Sequence, residues 1–156
     1  VRAAYRVRLA ANLANGSTLA GVLVAAAGRA RLSRWRDGLL VGTRYRLPVP
    51  PAAAFCLGNV ILTRLDQDDI GRAERLLGHE ARHATQYACC GGLLMLPCYF
   101  AACAVSWALT GDFYWRNAFE RRAGLADGGY ADHPIRPVLA RRSPDRAGVP
   151  GPPGRG

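Results

Sequence analysis

The chain has 156 residues, half of them hydrophobic. That suits one domain with a real core and excludes both a globally disordered protein and two full domains. All 21 basic residues are arginine, giving +10 with histidine neutral, but the excess is scattered, and five arginines against one aspartate lie from Arg136 onward. Without a basic stripe or interleaved aromatics, a specific nucleic-acid partner is not expected.

Residues 3–14 read as a short helix closed by Asn15-Gly16, and residues 18–28 as a second helical piece or a buried apolar run. The opening stretch VRAAYRVRLAANLANG alternates arginine with apolar residues, unlike a cleavable signal peptide. Asp37-Gly38 is a turn signal, and GLLVGTRYRLP reads as two short strands around Gly42-Thr43, ended by Pro48, Pro50 and Pro51. A third strand is expected over 55–65, where Val60 and Ile61 are β-branched. Asp66 to Asp69 supply helix-start chemistry for a helix over 70–90, with Gly91-Gly92 as its stop. Further helices are expected over 93–109 and 114–126. Beyond Asp132 the chain holds six of its ten prolines, so the expected organisation is a domain over 1–133 and a disordered tail over 134–156. The expected class is α+β: a small antiparallel sheet followed by a metal-motif helix, an apolar helix and a glutamate-bearing helix.

Five cysteines, an odd number without CxxC spacing, read as reduced thiols and point to the cytoplasm. Residues 84–111 carry no formal charge, and the part over 91–111 is long enough to cross a bilayer. Both a core helix and a membrane contact, with Trp107, Tyr114 and Trp115 at one end, are consistent with that stretch.

The chemistry-bearing residues are His79-Glu80-Ala81-Arg82-His83. An HExxH on a helix sets both imidazoles on one face, one turn apart, where both reach a single metal ion, and puts Glu80 beside them as a proton acceptor. The chain has only three histidines and three glutamates, and two of the former and one of the latter fall within these five residues. A third ligand is expected from Glu120, 37 residues past His83; Ala123 and Gly124 keep its helix face small for close approach. The alternative for Glu120 is a surface carboxylate paired with Arg116. His133 and Asp127 compete as third ligand, and Asp127 could instead orient a histidine. The ion expected for two imidazoles and a carboxylate is Zn2+.

This arrangement resembles the gluzincin branch of the zincin metallopeptidases. Over residues 12–130, GNVIL, HExxHxxQY, a Gly-rich apolar helix and NxFExxA are similar to a group of small uncharacterised bacterial zincin-like proteins. The resemblance implies His79, His83 and Glu120 as zinc ligands, Glu80 as general base and a peptide or protein substrate. The metzincin third histidine is absent from its spacing.

A tetrahedral oxyanion needs a further donor. Tyr130 is expected in that role from a loop after the last helix, with Tyr87 and His133 as alternatives. The strand ending in Val60-Ile61-Leu62 is the expected edge for an extended peptide, and Gln86 is expected to cap or pack. The competing function is a catalytically inactive zincin-like structural or binding module.

Overall fold

The computed structural model describes residues 2–136; the proline- and arginine-rich tail expected from residue 134 falls, from 137 on, outside the described residues. The fold is α+β, with five α-helices and one four-stranded sheet among those residues.

Helices α1 (Arg2–Ala14) and α2 (Ser17–Ala27) meet at Gly16 with a 72° bend. The small residues of α2 let it lie directly on the sheet. A Cβ at Gly21 would stand 2.6 Å from the Leu57 carbonyl oxygen and 2.8 Å from Val60 Cβ.

Strands β1 (Arg31–Arg34) and β2 (Leu40–Thr43) form an antiparallel hairpin, Arg31 opposite Thr43 and Arg34 opposite Leu40. Asp37 and Gly38 make its turn, both at positive φ (59° and 77°). The expected pair of strands around Gly42-Thr43 is thereby corrected: those residues supply one strand, and its partner precedes the turn. Arg-Leu-Ser-Arg is largely exposed and carries almost none of the apolar signal of a strand.

The single strand expected over 55–65 is also corrected. It is a second hairpin, β3 (Ala54–Leu57) and β4 (Val60–Thr63), turning at Gly58 with φ +59°. A side chain there would lie 2.4 Å from the Thr18 backbone nitrogen, so glycine answers both the turn and the approach of α2. The strand order is β1-β2-β4-β3, with β2 and β4 parallel. The sheet is mixed, where an antiparallel one was expected, because the proline-rich connection after β2 carries β3 outward and the hairpin returns β4 into the gap.

β4 is buried along its whole length. Val60 and Leu62 pack with Ala25 and Tyr45 on the α2 side; Ile61 packs with Leu39, Val41, Cys56, Leu77 and Ala84 on the other. Two-sided burial explains why VIL reads as a continuous apolar run. It also removes Val60–Leu62 as a peptide-pairing edge, which belongs to β3.

The acidic run folds into a 3-10 turn (Gln67–Asp69), so the next helix, α3 (Glu74–Cys89), starts four residues later than expected and stops at Gly91-Gly92 as expected. A buried polar set fixes its height over the sheet: Asn12 Nδ2 donates to Asn59 Oδ1 (3.1 Å) and to the Ala84 carbonyl (2.8 Å), and Asn59 Nδ2 donates to Thr18 Oγ1 (2.9 Å). Helix α4 (Met95–Thr110) follows. The last helix, α5 (Ala118–Ala123), is shorter than expected. Asp112 Oδ1 captures the Tyr114 and Trp115 amides (2.8 and 2.7 Å), holding that stretch as a capped turn, and the Asn117 side chain accepts from Phe119 N (2.9 Å) to open the helix.

Candidate metal centre

α3 turns its polar face inward. His79, Glu80 and His83 are buried, at 1%, 6% and 6% exposure, and Glu120 on α5 meets them at 1%. One ligand atom from each of His79, His83 and Glu120 lies within 4.8 Å of the others. His79 Nε2 is 2.9 Å from Glu120 Oε2, and His83 Nε2 is 3.5 Å from Glu120 Oε1.

The hydrogen bonds behind the imidazoles decide what faces inward. His79 Nδ1 lies 3.0 Å from the Gly124 carbonyl, which can only accept, so Nδ1 carries the proton. Gln86 Nε2 donates to the Phe119 carbonyl (2.9 Å), which leaves Gln86 Oε1 to accept from His83 Nδ1 at 2.8 Å. When the rings are neutral both Nε2 atoms therefore present lone pairs, and they stand only 3.1 Å apart. Glu120 Oε2 is buried with no hydrogen-bond partner among the described residues, while Oε1 accepts from the Tyr99 hydroxyl. Two imidazole lone pairs and a free carboxylate oxygen converging without a donor between them form a donor set that fits a divalent cation.

Electrostatics follow the same geometry. With a proton on either Nε2 in place of an ion, burial, which raises Glu120, is outweighed by hydrogen bonds from His79 and His83 and the charge on His83, which hold it well below the ordinary carboxylate range. Burial opposes the charged form of His83; the Glu120 carboxylate outweighs it and the pKa rises. Burial raises Glu80, and the nearby histidines only partly oppose that.

Glu120 is held by tertiary structure and is no surface partner of Arg116. The close approach expected at Ala123 is present, since that residue is fully buried. Arg82, inside the motif, reaches across α5: its Nε donates to the Ala123 carbonyl and its Nη2 to Asp127 Oδ2 at 2.5 Å. Arg75 takes Asp127 Oδ1 at 3.1 Å. Asp127 is thus neither third ligand nor histidine partner; the Gly124 carbonyl has that second role. His133 lies elsewhere, 3.9 Å from Asp112.

The centre opens into a cavity of about 810 Å³ whose walls include β3, Leu96, Phe100 and Phe113. Tyr130 lines it, its ring 5.8 Å from that of His79 and stacked on Tyr114 at 5.0 Å. Burial first, then the carboxylates of Glu120 and Glu80, raise its pKa, so it remains a hydrogen-bond donor. Tyr87 also lines the cavity. Sequence reasoning missed Tyr99, which sits in the charge-free stretch with no motif around it, and it underrated Gln86, whose HxxQ spacing is the one signal that a helical neighbour could support His83.

Comparison of the chain with protein-family models, with curated proteins and with solved structures finds no match.

Proposed function

We propose that this chain is a zinc-dependent metallopeptidase of gluzincin type, with His79, His83 and Glu120 as ligands and Glu80 as general base. The observation that carries the reading is the inward convergence of the His79 and His83 Nε2 atoms and a Glu120 oxygen without a hydrogen-bond partner among the described residues, in a cavity bordered by a sheet edge. Two imidazoles and one carboxylate are the donor set of catalytic zinc sites, which keep a fourth position open. A divalent ion held there supplies Lewis acidity.

The chain's own residues do the rest. Glu80 takes the proton of the attacking water on its carboxylate, and burial moves its pKa toward the pH at which a base both accepts and returns a proton. Tyr130 donates to the oxygen that gains charge at the scissile carbonyl. An extended peptide adds to the free edge of β3, whose residues line the cavity. The near-complete burial of His79 and Glu120 favours one other reading, a catalytically inactive zincin-like module whose ion fastens α5 to α3.

The test is metal content per chain, followed by hydrolysis of an unstructured protein substrate. We expect one zinc per wild-type chain and loss of it in Glu120→Ala. Glu80→Gln should keep the zinc and lose about 10²–10⁴-fold in rate. Stoichiometric zinc without hydrolysis assigns the module reading. Folded protein that never met a chelator and carries no metal refutes both.

A further inference from the structure

Helix α4 is apolar on every side. Over Gly92–Thr110 the mean hydropathy is 1.7, yet only 22% of that span's most apolar window is buried. Its inner strip is committed to the protein: Tyr99 donates to Glu120, Asn117 Nδ2 donates to Cys103 Sγ at 3.2 Å, and Ser106 Oγ donates to the Asp112 carbonyl at 2.8 Å. The outer side leaves Leu94, Phe100 and Val105 at 67, 63 and 57% exposure. A helix that is apolar all round belongs in a core or against lipid, and this one is not in the core.

Both ends of α4 extend the same surface. At the start, Gly92 abuts the Asn15 side chain so closely that a Cβ would stand 2.6 Å from Asn15 Cγ. That contact brings the α1–α2 elbow, with exposed Leu13, beside exposed Leu93 and Leu94. At the far end, Trp107 stacks on Phe113 at 6.3 Å, Tyr114 lies next to Phe113, and the Arg136 guanidinium sits 5.1 Å over the Trp107 ring. Aromatic rings carrying an arginine at one end of an apolar helix have the composition of a lipid–water boundary.

Charge points to the occupant. Arg116, Arg121, Arg122 and Arg136 are exposed and make no ion pair among the described residues. Of the acids in the same stretch, Glu120 sits in the candidate metal centre, Asp112 caps Tyr114 and Trp115, and Asp127 pairs with Arg75 and Arg82, which leaves exposed Asp132 alone against these four arginines. We infer that the outer face of α4, with the elbow and the aromatic–arginine end, docks on a lipid bilayer bearing anionic headgroups. The helix lies in the interface and does not cross, because its inner strip must stay hydrogen-bonded to the protein. Phe100, Phe113 and Tyr114 belong both to this face and to the cavity wall, so the docked surface borders the mouth of the centre.

The test is flotation of the full chain with vesicles of phosphatidylcholine plus phosphatidylglycerol, beside vesicles of phosphatidylcholine alone. Binding should be stronger to the anionic vesicles and weakened by salt. Leu94→Glu with Phe100→Glu should lower partitioning by about tenfold or more at unchanged circular dichroism. A readout on unaltered protein is quenching of tryptophan fluorescence by lipids brominated in their acyl chains, a signal that Trp107→Phe should diminish. The inference is overturned if the chain floats with neither vesicle, or if the folded double variant binds as well as wild type. It is equally overturned if sedimentation shows a dimer that ignores vesicles and that the same two substitutions dissociate, which would assign the face to a second copy.

Discussion

Replacing Gln86 with leucine tests the architecture behind the candidate ligands without touching one of them. Its side chain makes two bonds, accepting from His83 Nδ1 at 2.8 Å and donating to the Phe119 carbonyl at 2.9 Å, one residue before Glu120. One bond sets the tautomer of His83; the other sets the height of the helix that carries Glu120, the third candidate ligand. Each is worth about 1 kcal/mol, and leaving the His83 N–H without an acceptor in a buried position adds about 1–3 kcal/mol. Losing such a support weakens metal binding by about 10–100-fold, or about 1.4–2.7 kcal/mol. That is less than the sum of about 3–5 kcal/mol from the hydrogen bonds, because part of that loss falls on the stability of the fold. Competition against a chromophoric zinc chelator reads the loss directly. Gln86→Glu separates the two bonds, since a carboxylate still accepts from Nδ1 but cannot donate to Phe119; its affinity should fall between wild type and the leucine variant. A folded leucine variant that binds zinc within about twofold of wild type would refute the assignment of the His83 tautomer.

The other predictions concern the fold around the centre. Gly21→Ala should destabilise by about 1–3 kcal/mol, because the new Cβ meets the Leu57 carbonyl, a backbone atom that cannot step aside. Alanine's helical advantage over glycine, about 1 kcal/mol, works the other way; a denaturation midpoint at or above wild type would sink the packing argument. Hydrogen bonds from Arg82 and Arg75 hold the Asp127 carboxyl below its ordinary value. A group whose pKa is lowered by folding stabilises fully above its unfolded value, about 3.9, and loses that contribution as pH falls through the lowered folded value. Metal-free wild type should therefore show an acid-dependent part of its unfolding curve that Asp127→Asn lacks, and identical curves below pH 5 would count against the clamp.

The helices were legible because each carries its own punctuation. Asn15-Gly16 and Gly91-Gly92 stop helices where positive φ is required, and a glycine there is visible in one dimension. Gly124 stops α5 in the same way, but the helix expected over 114–126 runs through it. The sheet was less legible. β1 is an exposed edge of arginine, leucine and serine whose strand state comes from pairing with β2, and pairing leaves no local mark in so polar a segment. The turn at Gly58 is hidden inside a continuous apolar run, because β4 is buried on both faces and shows no alternation. With that turn unseen, the return of β4 beside β2, and hence the mixed sheet, was unreadable as well.

The candidate centre divides along a similar line. His79, Glu80 and His83 were legible because a helix fixes their mutual placement, whatever the rest of the chain does. Glu120 was legible only by scarcity, as one of three glutamates in the chain. What orients these groups is supplied by the Gly124 and Phe119 carbonyls, the Gln86 amide and the Tyr99 hydroxyl. A carbonyl belongs to every residue, so no residue type announces it, and an amide or a phenol counts only where tertiary packing aims it. α5 illustrates the consequence. Six residues are too few to hold a helix by themselves, yet Arg82 and Gln86 fasten both of its ends to α3. The motif helix thereby supplies two of the candidate ligands and fixes the position of the third, which joins the centre's assembly to the docking of a single short helix.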